Sequence, residues 1–228
     1  MVSKNQKEIA DKFEKNNSYS LDDAVRMVKE LTYAKFDESV DLAINLNVDP
    51  RHAEENIRLT IPLPNGTGKD VSILVITSGP KEKEALDAGA DYVGNNEYLD
   101  KIKNGWSDVD KIVATPDMMP RLGKLGKILG PKGLMPNPKL GTVTQDIKTA
   151  VTNAKAGQVK FKNDKAGIVQ AGIGKLSFNE QDLIENLKAF YSSINKSKPD
   201  AVKSSFIKKI TIASTMGVGL TINAASLR

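Results

Sequence analysis

The alternation of apolar and polar positions changes character twice along the chain. Near the N-terminus, Ser20 is followed by Leu21, Asp22 and Asp23, and Leu21, Ala24, Val25, Val28 and Leu31 recur at helical spacing. A capping hydroxyl, first-turn acids and one apolar face predict an amphipathic helix through about residue 33. An earlier charged helix is expected over 4–15. From Phe36 the period drops to two, with Val40, Leu42, Ala43, Ile44, Leu46 and Val48 set among Asp41, Asn45 and Asn47. That run predicts a half-buried strand with one wet face, as antiparallel sheets have. Residues 58–63 repeat the alternation and stop at Pro62, Leu63, Pro64, Asn65 and Gly66, a punctuated turn.

After Gly68 the run Val71, Ser72, Ile73, Leu74, Val75 and Ile76 is nearly continuous, as expected of a strand buried on both faces. Helices are predicted near 81–88 and 96–103, strands at 91–93 and 111–114, and a further helix after Pro116. This alternation predicts a small parallel sheet with flanking helices. From about Gln158 the pattern reverts to hairpins. Strands at 158–162 and 168–171 flank a turn of Asn163, Asp164, Lys165, Ala166 and Gly167, whose Asn, Asp and Gly favour reversal. A helix over 179–194 follows, and a last pair, 207–213 and 219–223, meets around Thr215, Met216 and Gly217. The expected fold class is therefore α/β in two domains. A discontinuous antiparallel α+β sandwich domain, 1–66 and 158–228, is interrupted by an inserted Rossmann-like parallel α/β domain, 67–157. Two chain crossings would make a natural hinge.

Composition narrows the chemistry. There is no cysteine and one histidine, His52, so thiolate zinc sites, cysteine nucleophiles and multi-histidine metal sites are excluded. The acid pairs Asp22–Asp23 and Glu54–Glu55 suit caps and exposed faces, and nothing places two acids in a cleft for acid–base work. The segment Gly126, Lys127, Ile128, Leu129, Gly130, Pro131 lacks the Gly-Lys-Ser/Thr that a phosphate loop requires, and no Gly-x-Gly-x-x-Gly follows the buried strand. Neither an enzyme, a cofactor nor a metal is expected. No window reaches membrane-spanning length, and the first twenty residues mix Lys with Asp and Glu, unlike a signal or transit peptide. A cytoplasmic chain, monomeric when free, is the expectation.

The net charge of +5 is unevenly spread: residues 1–66 are net acidic, the remainder net basic. Segregation of this kind is what an RNA-binding face requires. Residues 118–141 hold Arg121, Lys124, Lys127, Lys132 and Lys139 with no acid. Leu122, Leu125 and Leu129 would face a core there while Arg121, Lys124 and Lys127 form a stripe elsewhere on the helix. The prolines and glycines beyond make a stiff loop able to approach phosphate. A solvated basic helix with a rigid end is the plainer reading. At Thr215, Met216 and Gly217 the choice is between an ordinary turn with a packed Met and a small-residue surface whose Thr215 hydroxyl bonds RNA. Phe36 either closes the core or meets a nucleotide. Periodicity leaves these alternatives open.

The segment Leu129, Gly130, Pro131, Lys132, Gly133, Leu134, Met135, Pro136, Asn137, Pro138, Lys139 resembles the signature of the bacterial-type family of large-subunit ribosomal protein one. The resemblance continues through residues 161–167 and 214–217, and Lys35, Phe36, Asp37 and Glu38 fit the early strand. It spans essentially the whole chain in order. It implies a two-domain protein whose first domain binds a mobile stalk of large-subunit rRNA, beside other large-subunit components. It also implies contact with exit-site tRNA and repression of the chain's own operon through its mRNA. Carried over by residue, the RNA contacts fall on Lys35 and Phe36, on Asp164, Lys165, Ala166 and Gly167, and on Thr215, Met216 and Gly217. Two positions depart from the pattern: Lys209 stands where similar proteins often have serine, and Gln170 where they often have histidine. Lys209 is counted among the contacts, as a phosphate ligand in place of a hydroxyl.

Overall fold

The computed structural model describes residues 17–227 apart from 53, 54, 80, 139, 140, 200, 201, 203 and 204. The helix expected over 4–15 lies outside the described residues. The chain divides into two compact units, one reaching Gly68 and resuming at Val159, the other Lys69–Gln158.

In the first unit, Ser18–Tyr19 (β1) leads into helix α1, Leu21–Glu30, whose N-cap Ser20 accepts from the Asp23 N–H. Strand β2, Ser39–Leu46, follows, then β3, Arg58–Pro62. A five-stranded sheet runs β1-β10-β9-β2-β8, where β8 is Ile168–Lys175, β9 Ile207–Ser214 and β10 Leu220–Ile222. The pairing is antiparallel except for β1 with β10. Among the described residues only one face of this sheet carries helices. Leu21, Ala24, Val25 and Val28 of α1 and Leu183, Leu187, Phe190 and Ile194 of the long final helix (Glu180–Lys196) are buried with Val40, Leu42, Ile44, Ile173 and Ile212. Each of these Val, Leu, Ile and Phe side chains contributes about 2 kcal/mol, and Ala24 less. The other face keeps the polar partners of the alternation.

The hairpin expected across residues 158–171 does not form. Strand β7, Gln158–Lys162, pairs with β3 in a separate two-stranded sheet; beyond its end the chain meets β8 through an isolated Asn163–Val169 bridge and the Asp164 N–H, which donates to Ile168 O. The reason is packing: Phe161 turns into the core against Phe190, ring centroids 5.0 Å apart. Asn163, read from sequence as turn chemistry, is buried, and its Oδ1 accepts from the Ile57 N–H at 3.0 Å, drawing the end of β7 toward the segment before β3.

In the second unit a three-stranded parallel sheet runs β5-β4-β6, with β4 Ile73–Ile76, β5 Tyr92–Gly94 and β6 Lys111–Ala114. Leu74, Ile76 and Ile112 pack with Ile102, Leu122 and Leu129, while Ile73, Val75 and Val113 pack with Ala85, Ile147 and Val151. The helices are α2 (Lys81–Asp87), α3 (Asn96–Lys103), two short turns α4 (Met119–Gly123) and α5 (Gly126–Leu129), and α6 (Ile147–Lys155). The final helix of the first unit is α7. The periodic pattern that suggests one helix after Pro116 is broken by Gly123 and Gly126 into α4 and α5. Helix α6 escaped the pattern reading, although Ile147, Val151 and Ala154 have helical spacing and Asp146 caps the Thr149 N–H.

Candidate nucleic-acid interface

One corner of the five-stranded sheet is organised by Glu38. It is fully buried, just before β2, and receives the Thr32 hydroxyl and, at 2.8 Å, the Met216 N–H. Burial pushes the Glu38 carboxyl up, but hydrogen bonds from the Thr32 hydroxyl, the Met216 N–H, the Ser214 hydroxyl and the Ala34 N–H outweigh it and hold the group below its ordinary value. The carboxylate is thus a clamp on the loop between β9 and β10. Thr215 completes the clamp. Its N–H donates to Ser39 O, and its Oγ1 accepts from the Ser39 N–H, both at 3.0 Å. Oγ1 also donates to Ser39 O at 3.3 Å. The proton of this hydroxyl is thereby directed at Ser39 O, which leaves one oxygen lone pair as what Thr215 can offer a partner. A Cβ at Gly217 would collide with the Ser214 hydroxyl, so a larger residue would turn that hydroxyl away from Glu38.

With the backbone so held, two large apolar side chains are left in solvent. Met216 is 51% exposed and Phe36 57%. Neither is the packed residue of the plainer reading. Phe36 precedes the strand, which starts at Ser39, and Lys35 beside it is also exposed. The stretch is fixed on its other side by Asp37, whose carboxylate accepts from the Ser177 N–H and hydroxyl at 3.1 and 2.9 Å.

The second cluster lies at the opposite end of the same strands. Asp164 Oδ1 accepts from the N–H groups of Ala166 and Ile168 at 2.8 and 2.9 Å, forming a tight turn that leaves Lys165 and Ala166 exposed. Gly167 has φ +74°, and its carbonyl accepts from the Leu46 N–H, so only glycine suits the position. Lys209 pairs with Asn45 across β9 and β2 at this end. The six residue steps from Ser39 to Asn45 put the two clusters about 20 Å apart at ~3.3 Å per residue.

Between them runs the helix-free face. Across it, Asp41 lies between Gly172 and Ala213, Ala43 between Gln170 and Thr211, and Asn45 between Ile168 and Lys209. Small residues make a shallow trough of about 360 Å³ there, lined by Asp41, Ala43, Gln170, Gly172, Thr211 and Ala213 among others. Sequence reasoning did not assign Glu38 or the trough to the site. The alternation of β2 marks Asp41 and Asn45 as its wet side, which is the available signal, while Ala43 counts with the apolar set.

The basic segment belongs to the second unit. Arg121, Lys124, Lys127 and Lys132 are exposed, Leu122 and Leu129 are buried, and Lys139 lies outside the described residues. Arg121 donates to Asn96 Oδ1 at 2.8 Å and Lys132 to the Ser107 hydroxyl. Among the described residues no group of acids and histidine is placed to hold a metal, and no helix is long and apolar enough to cross a membrane.

A sheet face that carries no described helix, flanked by exposed aromatic, thioether and lysine side chains, has the form of a docking surface. Residues 28–218 match the profile of the ribosomal protein L1p/L10e family. The chain is 51% identical over 222 residues to the large ribosomal subunit protein uL1 of Flavobacterium johnsoniae, covering 97% of each. The chain belongs to the ribosomal protein L1 family. It is a structural, non-enzymatic constituent of the large subunit of the cytoplasmic ribosome.

Proposed function

We propose that the chain binds large-subunit rRNA with the helix-free sheet face and the clusters at its two ends. The observation that carries this reading is the pair Phe36 and Met216, held in solvent at one corner by a buried hydrogen-bonded clamp. Ordering two large apolar side chains in water is unfavourable unless a partner covers them, and unstacked bases or sugar edges of folded RNA are suitable partners. The small-residue trough lets an RNA surface lie close. Lys35, Lys165 and Lys209 supply charge that sets affinity and salt dependence without reading sequence. The finer reading is a stalk site near the ribosomal exit site, with tRNA release assisted there and the chain's own mRNA bound in the same way for repression. Arg121, Lys124, Lys127, Lys132 and Lys139 are secondary contacts in this scheme.

We also propose that the two compact units are separate domains, one discontinuous and one an inserted Rossmann-like α/β domain. A chain joining residues 1–66 to 158–228 through a short linker is expected to fold and bind; failure to fold rejects this division. The function itself is tested by titrating a stalk rRNA fragment with wild-type protein and Met216→Asp. Wild-type binding that Met216→Asp weakens, with unchanged unfolding midpoint, supports the interface. Equal affinities reject it. Repression is read separately, from translation of a reporter carrying the operon's leader.

A further inference from the structure

A second concave surface lies on the helix side of the first unit, where α7 ends. It is a groove of about 770 Å³ whose lining includes Lys188, Tyr191, Ser192, Lys196, Lys198 and Phe206. Among the described lining residues three are lysines and none is acidic. Tyr191 is half-buried against the core and Phe206 is buried, so the floor is rigid, while the Phe206 carbonyl is fixed by the Asn47 N–H at 2.7 Å. Hydroxyl and amide groups of Ser192, Asn195 and Ser205 stand among the cations. Lysines with small hydrogen-bonding groups around a shallow floor suit a chain of phosphates, which needs charge and donors without a base code.

The groove is also continuous with the proposed interface. Asn45 pairs with Lys209, but the next residue, Leu46, pairs with Ile207, so Lys208 is the extra residue of a β-bulge. A bulge re-aims the chain. On one side of it Lys209 shares the open face with Thr211; on the other, Ile207 lines the groove. Exposed Lys208 stands at the turn-over between them. Cations therefore run from the open face, around the sheet end, into the groove.

We infer that this groove holds the sugar-phosphate backbone of an RNA segment flanking the one on the sheet face. The inference rests on the reading that the sheet face binds RNA, and it enlarges that site. Two experiments test it with the full-length protein. In the first, Lys188→Gln/Lys196→Gln is compared with wild type on a stalk rRNA fragment extended by its flanking helices, over a series of salt concentrations. Loss of two phosphate contacts should weaken binding about tenfold near 0.1 M salt and reduce the salt slope by about 2. In the second, a single Ser192→Cys carries an iron chelate that cleaves nearby RNA by hydroxyl radicals; the chain has no other cysteine to compete. Cleavage of flanking nucleotides from Ser192→Cys, but not from Gln181→Cys at the other end of α7, is expected. Wild-type binding with unchanged affinity and slope in the double variant, and no cleavage from Ser192→Cys, overturns the groove and leaves the sheet-face reading intact. If wild type itself fails to bind the RNA, both fall. If polyglutamate occupies the groove while RNA affinity ignores both lysines, the groove belongs to an acidic protein and the inference is wrong.

Discussion

The two ends of the five-stranded sheet solve opposite problems with similar means. At the Glu38 end the exposed groups include two large apolar side chains, Phe36 and Met216, beside Lys35, and a buried carboxylate fixes the backbone behind them. At the Asp164 end the exposed groups include lysines, and the carboxylate sits in a turn at the surface. In both, an acid accepts backbone N–H groups so that its neighbours can be presented to a polyanion. An acid beside an RNA surface looks wrong by charge alone. It is tolerated because its oxygens are already committed to donors within the fold. The difference is depth: the first end depends on an interaction that water cannot replace, the second on one that it largely can.

That difference is sharpest at Glu38. Glu38→Ala leaves the Met216 N–H and the Thr32 hydroxyl without their acceptor, and we expect a loss of about 3 kcal/mol in urea unfolding together with weaker rRNA binding. Glu38→Gln keeps the shape and one acceptor and should lose about half as much. A pH series checks the ionised form. The folded value is lowered from the ordinary 4.5, so the contribution is fully present above that pH and is lost as pH falls through the lowered value. Glu38→Gln should flatten the wild-type acid loss in that window. An unaltered acid profile removes the clamp. By contrast Asp164→Ala should destabilise by only about 1 kcal/mol, because the freed N–H groups of Ala166 and Ile168 can turn to water.

Much of this arrangement was legible in the sequence, and the illegible part has a common cause. Strand β2 and the pair β9–β10 could be read because their core side is continuous and their wet side is polar. Helix α1 announced itself by Ser20 and its apolar face, though it stops at Glu30 instead of Tyr33 because the chain must turn to bring Glu38 under the 215–217 loop. What periodicity missed depends on partners far along the chain. Phe161 leaves β8 for Phe190, and Asn163 binds Ile57, so a local hairpin rule failed. Likewise Glu38 and Thr215 are 177 positions apart in sequence. No local pattern shows that one buries its charge beside the loop carrying the other. Resemblance selected Phe36 and Met216 as contacts; only burial shows that both stand in solvent.

Exposure makes the next effect one of binding and not of folding. Met216→Asp places a carboxylate where an apolar contact with RNA is proposed, and about a tenfold loss of affinity is expected from charge repulsion and lost contact. Because Met216 is half in water, its urea midpoint should stay within the ±0.5 kcal/mol typical of surface changes. Phe36→Ala should weaken binding by a similar factor if a base stacks there. A Met216→Asp protein that unfolds early would mean that this end is a packing site, and the contrast with the other end would collapse.

The smallest effect should be at Lys209, and it separates charge from shape. Lys209→Ser replaces the charge by a hydroxyl at a surface site beside the bulge, so stability should be unchanged. If Lys209 holds a phosphate, affinity should fall a few-fold at low salt and the salt slope should drop by about 1. At high salt, where release of counterions contributes little, the variant and wild type should converge. If instead a serine hydroxyl makes a direct bond that the lysine cannot, the variant should bind more tightly at every salt concentration with its slope still reduced. The sign at high salt therefore decides whether this end acts through charge, as the contrast with the Glu38 end requires, or through the same close hydrogen-bonded fit.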